Sequence, residues 1–276
     1  MEKELIQAAA AALEAVRAKK PLIHHITNYV TVNDCANITL AVGASPIMAD
    51  DIGEVESIVS ISSALVLNIG TLNERTVRSM LAAGKKANEK GIPVVFDPVG
   101  AGASGLRNRT TQKILEEVRI SILRGNLSEI RFVAGLDSST KGVDASGADL
   151  RRGPEAGRAA AEAVSKKIGC VTSVTGATDV LSDGVRTVFL KNGSSLLSGI
   201  TGTGCMCTSL IGSFCGASKE DLVSAIGGVL TMSIAGEIAA EKAGEAGCGS
   251  FHAAILDAVG RMGARILMER AKIYEA

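Results

Sequence analysis

Residues 64–98 read ALVLNIGTLNERTVRSMLAAGKKANEKGIPVVFDP. Two short apolar runs, 64–69 and 92–96, flank a longer helix-like stretch from Glu74 to Lys90. Apolar strands that show no polar alternation are covered on both faces, and a helix between them returns the chain in the same direction. The unit therefore predicts a parallel sheet between helices. The same alternation extends outward, with strands expected at 22–27, 45–49, 120–124 and 170–175 and helices at 31–42, 110–118 and 154–167. Segments 178–182 and 185–190 flank Asp183-Gly184, a short hairpin turn signal. Beyond Gly202 the pattern reads as all helical, over 205–214, 220–243 and 251–273. No linker, low-complexity tract or repeat interrupts it, so residues 1–276 are expected to form one domain.

The totals narrow the class of function. The 29 basic and 29 acidic residues cancel, which argues against a nucleic-acid groove or an anionic membrane surface, since both need a basic excess. Aromatic residues make up 3%, too few for a single-strand stacking platform. Cys35, Cys170, Cys205, Cys207, Cys215 and Cys248 form no CxxC pair, and His24, His25 and His252 lie far from the Cys205 cluster along the chain. Structural zinc prefers closely paired ligands, so reduced, mostly buried thiols are the expectation. Residues 1–20 carry Glu2, Glu4 and Glu14 in an Ala-rich helical pattern, unlike the basic start and apolar stretch of a signal peptide. A cytoplasmic protein is expected. The uncharged run between Lys191 and Lys219 is crowded with Gly, Ser and Thr, which is not the composition of a membrane span.

In open parallel sheets, ligands bind beyond the C-terminal strand ends. The residues there are Thr27-Asn28, Met48 to Asp51, Asn68 to Thr71, Asp97-Pro98, Arg124-Gly125-Asn126 and Thr175-Gly176, a polar, glycine-punctuated set. The most informative segment is Thr201-Gly202-Thr203-Gly204-Cys205. Its glycines free the backbone to turn N–H groups inward where a helix begins, and the helix adds partial positive charge, which together make an anion site. A tight strand-to-helix turn is the alternative. Asp97, at a strand end, has the chemistry to hold Mg²⁺ or to form a turn. Gly100, Gly102 and Gly105 match the dinucleotide pattern GxGxxG. That reading is set aside, because Asp97-Pro98 separates them from the strand and the next helix is expected to be delayed beyond Arg109. Arg124 has a planar fork suited to phosphate. Asn126 and Glu129, three apart, either point at one ion or cap a helix. Adjacent His24 and His25 face opposite sides of a strand and read as structural. Met48 follows Pro46 and suits either a core or a contact with a heteroaromatic ring.

Taken together, these segments resemble the hydroxyethylthiazole kinase family of the ribokinase-like superfamily. The likeness runs from Pro21 to Gly249-Ser250-Phe251. It rests on Ile26-Thr27-Asn28, Gly43-Ala44-Ser45-Pro46-Ile47-Met48, Leu67-Asn68-Ile69-Gly70-Thr71, Asp97-Pro98-Val99-Gly100-Ala101-Gly102, Arg124-Gly125-Asn126 with Glu129, and Thr201 to Cys205, in that order. The resemblance implies a three-layer α/β/α fold with a mainly parallel sheet, assembled as a homotrimer with sites between subunits. It implies a kinase that moves a phosphoryl group from ATP to the hydroxyethyl group of 4-methyl-5-(2-hydroxyethyl)thiazole, in thiamine synthesis or salvage. Asp97 and Glu129 would organise Mg²⁺ and the phosphate tail of the nucleotide; Arg124 and Thr175, with Asn126, would also bind the nucleotide. Thr27, Asn28, Met48, Gly70 and Gly202 would shape the thiazole pocket, and Gly202, Thr203, Gly204 and Cys205 would carry the transfer, the cysteine standing where many relatives place an aspartate. Two positions depart from the pattern: Ala177 follows Thr175-Gly176 where an acidic residue is usual, and Cys248 interrupts the Gly-Pro-Gly-Ser-Phe motif. The alternatives are a related kinase for hydroxymethylpyrimidine or a sugar, and a nucleotide-binding protein without turnover.

Overall fold

A computed structural model describes residues 2–136 and 153–275. Its elements are α1 (Glu2–Lys19), β1 (Leu22–Ile26), α2 (Val32–Val42), β2 (Ser45–Met48), α3 (Val55–Ser60), β3 (Ala64–Asn68), α4 (Glu74–Lys90), β4 (Val94–Asp97), α5 (Gly105–Glu117), β5 (Ile122–Asn126) and α6 (Leu127–Ala134). After the segment outside the description come α7 (Gly153–Ile168), β6 (Val171–Thr175), β7 (Asp179–Ser182), β8 (Thr187–Leu190), α8 (Thr203–Ala217), α9 (Asp221–Ala243), α10 (Cys248–Arg261), α11 (Ala264–Arg270) and β9 (Ile273–Glu275).

The nine strands form one sheet in the order β2-β1-β3-β4-β5-β6-β7-β8-β9. β1 to β6 run parallel, and β7, β8 and β9 join antiparallel at one edge. Alternate strand residues feed two cores, as the uniformly apolar strands require. Val66, Val95 and Ile122 pack under α1, α2 and α8 to α11. Leu65, Leu67, Phe96 and Leu123 pack under α3 to α7. The result is the expected three-layer arrangement with a mainly parallel sheet. Parallel register aligns the strand ends, setting Asn68 beside Asp97 and Asn126 beside Thr175.

Four expectations are corrected. Residues 251–273 are not one helix: the chain breaks at Met262-Gly263, whose backbone is extended, and Ile273–Glu275 adds a strand to β8. The Tyr274 ring stacks on Phe189 at 4.7 Å, a long-range contact that overrides local helix periodicity. The helix expected from 110 begins at Gly105, because Ser104 caps it by accepting from the Arg107 N–H at 3.3 Å. The GxGxxG segment is therefore not cut off by a delayed helix. Its amides are engaged instead, Gly100 N–H donating to Glu129 and Gly102 N–H to Asn108, each at 2.7 Å. Finally, β5 runs over Ile122–Asn126 rather than 120–124, since its ladder with β6 continues through Thr175; Gly125 and Asn126 lie within the strand rather than after it.

The helix behind the glycine turn is set by close packing. A Cβ on Gly212 would strike Val66, and one on Gly228 of α9 would lie 2.6 Å from the Ile211 backbone nitrogen. Segment Asp221–Ala246 is long and apolar enough to cross a membrane, yet 89% of its apolar window is buried within the protein, so α9 is the helix that clamps α8 onto the sheet. Gly228→Ala should force α8 and α9 apart and cost about 1–3 kcal/mol, the range for overpacking a tight core. A lowered thermal midpoint is the expected result; an unchanged one would mean that this approach is not tight.

Candidate active site

The start of α8 is built for a ligand. Gly202 has φ of 89°, a conformation that favours glycine. A Cβ there would also come within 2.7 Å of Thr31. The first helical bond is Met206 N–H to Gly202 O at 2.8 Å, and no side chain caps the helix. The amides of Thr203, Gly204 and Cys205 thus lack an intrahelical acceptor, and the helix dipole adds to their positive end. The Thr203 hydroxyl turns away to Leu197 O at 3.1 Å.

Asp97 is fully buried and unevenly bonded. Its Oδ2 accepts from Thr208 Oγ1 at 2.7 Å, Asn68 Nδ2 at 3.3 Å and Arg124 Nη1 at 3.4 Å. Its Oδ1 has no partner among the described residues. A bare carboxylate oxygen buried at the site has free accepting capacity, and Mg²⁺ held by one or two carboxylates plus phosphates fits this donor chemistry. Burial pushes the Asp97 carboxyl up, against the pull of Arg124 and Thr208. Arg124 also donates to Thr175 Oγ1. Burial works against its charge, but Asp97 together with Cys207, Glu129 and Cys205 more than offsets it, so the guanidinium stays charged. It lies so close to the glycine turn that a Cβ on Gly204 would meet Nη1 at 2.5 Å.

Asn126 and Glu129 take the capping arrangement left open by the sequence. Asn126 Oδ1 accepts from Glu129 N–H at 2.9 Å, and Glu129 Oε2 accepts from Asn126 N–H at 2.8 Å. Glu129 Oε1 takes the Gly100 N–H. Both oxygens of Glu129 thus tie loops together, while burial and the neighbouring Asp97 charge push its carboxyl up to about 7.

On the other side of Asp97, Cys205 Sγ receives Asn68 Nδ2 at 3.2 Å and Asn28 Nδ2 at 3.4 Å. Burial and then the Asp97 charge push the Cys205 thiol up. Asn28 packs on Gly70, where a Cβ would come within 2.8 Å. Thr27 Oγ1 is buried, with the Cys35 thiol as a polar neighbour. Met48 closes the edge strand opposite His25 and lies outside this network. His24 and His25 bond to the Ala49 and Ile23 carbonyls at 2.7 and 3.1 Å. Burial lowers both, His25 to about 4, which suits neutral structural imidazoles. A cavity of about 190 Å³ opens next to Thr175, walled by Leu127, Pro154, Gly157, Val174 and Ala177.

Sequence reasoning brought Asp97, Arg124, Glu129, Asn126, Thr175, Asn28, Gly70, Gly202, Thr203, Gly204 and Cys205 to one strand edge, and the structure places them there. It gave no individual role to Asn68, Thr208, Arg107 or Asp179. Arg107 donates to the carbonyls of Ile69, Gly70 and Val99, binding the β3 and β4 loops together. Asp179 supplies a carboxylate two residues beyond Ala177, accepting from Gly176 N–H at 2.9 Å and Ser233 Oγ at 3.1 Å; burial pushes it up to about 6. A polar residue ending an otherwise apolar strand is the signal that marks Asn68. Thr208 shares the face of Gly204 one helical turn on, but which face that is has no trace in sequence.

The sequence profile of the hydroxyethylthiazole kinase family matches residues 13–264. A hydroxyethylthiazole kinase from Clostridium beijerinckii is 61% identical over 263 residues, 95% of each chain. The structure of a hydroxyethylthiazole kinase protein from Pyrococcus horikoshii superposes with a TM-score of 0.88 at 38% identity, covering 97% of this chain and 98% of that one. A Staphylococcus aureus pyridoxal kinase in complex with pyridoxal shares the fold alone, with a TM-score of 0.60 at 14% identity over 79% of this chain and 88% of its own.

A carboxyl raised from 4.5 to about 7 keeps its proton longer in the folded chain than in the unfolded one. Its contribution to stability therefore declines as pH rises through that window. Glu129→Gln should flatten this decline in melting temperatures recorded between pH 5 and 8. An unaltered slope would show that Glu129 does not hold the proton.

Proposed function

This chain belongs to the hydroxyethylthiazole kinase family, and from that premise we propose that the strand-edge site transfers the ATP γ-phosphoryl group in line to the hydroxyethyl oxygen of the thiazole. The observation that carries this reading is the uncapped start of α8, with its amides facing the same edge as Asp97 and Arg124. Arg124 and Thr175 bind the polyphosphate, and the cavity beside Thr175 takes the nucleoside end. The amides of Thr203, Gly204 and Cys205 receive the oxygens of the group in transit. Asn28, Gly70 and Gly202 hold the alcohol against Cys205, with Thr27 and Met48 on the same side of the sheet edge. Asp97, through Oδ1, would hold Mg²⁺, with Glu129 behind it and Asn126 fixing Glu129; the ion supplies charge neutralisation on the phosphates.

The transition state of phosphoryl transfer is loose, so placement and electrostatics outweigh proton removal. That suits a thiol. An ordinary cysteine has a pKa of about 8.5, and burial and Asp97 raise Cys205, so proton removal contributes at the low end of the ~10²–10⁴-fold range of general-base help. A homotrimer with sites between subunits is supported by Tyr29 and Leu106, 78% and 51% exposed, which border an open cavity of about 460 Å³ beside Gly70. A cytoplasmic setting, thiamine synthesis or salvage as its pathway, and the absence of nucleic-acid or membrane partners complete the reading; a reducing compartment keeps the Cys205 thiol free.

Thiazole-dependent consumption of ATP is the direct assay, and a hydroxymethylpyrimidine or a sugar turned over in preference would overturn the substrate assignment. Among variants, Asp97→Ala should lower turnover at saturating Mg²⁺ far more than Cys205→Ser. The serine variant should remain a slow kinase with near-normal ATP binding. Equal losses in the two variants would discredit the role given to Asp97.

A further inference from the structure

We propose that Asn68 is a positioning residue for phosphoryl transfer: it locks the Cys205 sulfur in place as a hydrogen-bond acceptor in front of the alcohol. A carboxamide has two unlike ends, and the neighbours of Asn68 decide which end points where. Its Oδ1 accepts from the Gly70 backbone N–H at 2.9 Å, a donor that has no other state. Its NH₂ must then turn the opposite way, toward Cys205 Sγ at 3.2 Å and Asp97 Oδ2 at 3.3 Å.

Asn28 is fixed by the same logic. Its Oδ1 accepts from the Thr31 N–H and Thr31 Oγ1, each at 3.1 Å. Its Nδ2 therefore donates to Asn68 Oδ1 at 3.0 Å and to Cys205 Sγ at 3.4 Å. Two N–H groups converge on the sulfur, and neither amide can flip to present oxygen. A thiol proton cannot point at either amide, which leaves it the Thr31 hydroxyl, a hydrogen-bonding neighbour of the sulfur, or the pocket. A thiolate would be held by the same two donors. In both states the sulfur keeps one position.

Asn68 is buried, with 2% of its surface exposed, and its carboxamide is fully engaged by Gly70, Asn28, Cys205 and Asp97. Asn68 therefore acts through the thiol rather than on substrate. Its bond to Asp97 is the longer of its two donations, and Asp97 Oδ2 keeps Thr208 at 2.7 Å without it. Loss of Asn68 should be felt mainly at sulfur.

The inference rests on Cys205 being the thiol at the reacting alcohol, and a double-mutant cycle separates the two claims. Steady-state kcat and KM for thiazole and ATP are measured for Asn68→Ala, Cys205→Ala and both together, with thermal melting to verify folding. Asn68→Ala should lower kcat about tenfold or more, with both KM values within about threefold. In the Cys205→Ala background the same change should cost less than about threefold, because the group it acts through is gone. Asn68→Ser, which keeps a donor, should recover part of the loss, and it replaces Asn68→Ala in the cycle if that variant does not fold. Equal losses in the two backgrounds, or a loss confined to KM, would overturn the role of Asn68. Parent-like turnover by Cys205→Ala would remove the thiol reading itself, and this inference with it.

Discussion

The structure depends on a buried carboxylate whose two oxygens are treated differently. Asp97 Oδ2 is saturated by Thr208, Asn68 and Arg124, while Oδ1 is bare. Each donor comes from a different element, α8, β3 and β5, so one oxygen pins the helix and two strands at a single point. Burying an ion pair is costly in itself and is tolerated when the geometry satisfies its remaining atoms. Here one oxygen of Asp97 and the Nε of Arg124 remain unsatisfied. Unmet capacity at the focus of a site is where a charged, oxygen-rich ligand gains most.

The packing of α8 serves the same point. Its inner face carries glycine where Val66 approaches, and α9 offers Gly228 where the Ile211 backbone approaches. These close contacts fix the direction of the helix axis, and hence where its uncapped amides aim. A bulkier interface would move the amides while leaving the core apolar. Small residues here are a requirement of aim, which explains why the part of the uncharged run in α8 from Met206 on keeps Ser209, Gly212 and Ser213 although it is buried.

Charge at the edge is arranged in a gradient. Arg124 and the α8 amides are positive, Asp97 carries the negative counterpart, and Glu129 is pushed up to about 7 by burial beside Asp97. Two carboxyl groups so placed do not both ionise easily without added cations. A cation at this edge would shift that balance toward ionising both, whereas phosphate charge alone would oppose it. Loop fixation by Glu129 and Asn126 keeps the Gly100 turn in place throughout.

The sequence by itself determined the layered fold and most of the site. Uniformly apolar strands such as 64–69 can only be covered twice, and parallel order then gathers the strand-end residues on one edge. The glycines before Cys205 announced the helix start, because backbone freedom at that place is a local property. What only the tertiary structure decided were contacts between distant segments. β9 exists because Tyr274 meets Phe189; Glu129 serves the Gly100 loop because β4 and β5 are neighbours; and Thr208 and Asn68 meet on Asp97 because register and helix rotation bring them there. Local periodicity specifies which face of an element is buried, but the partner found on that face depends on the packing of chain segments 29 to 111 residues apart.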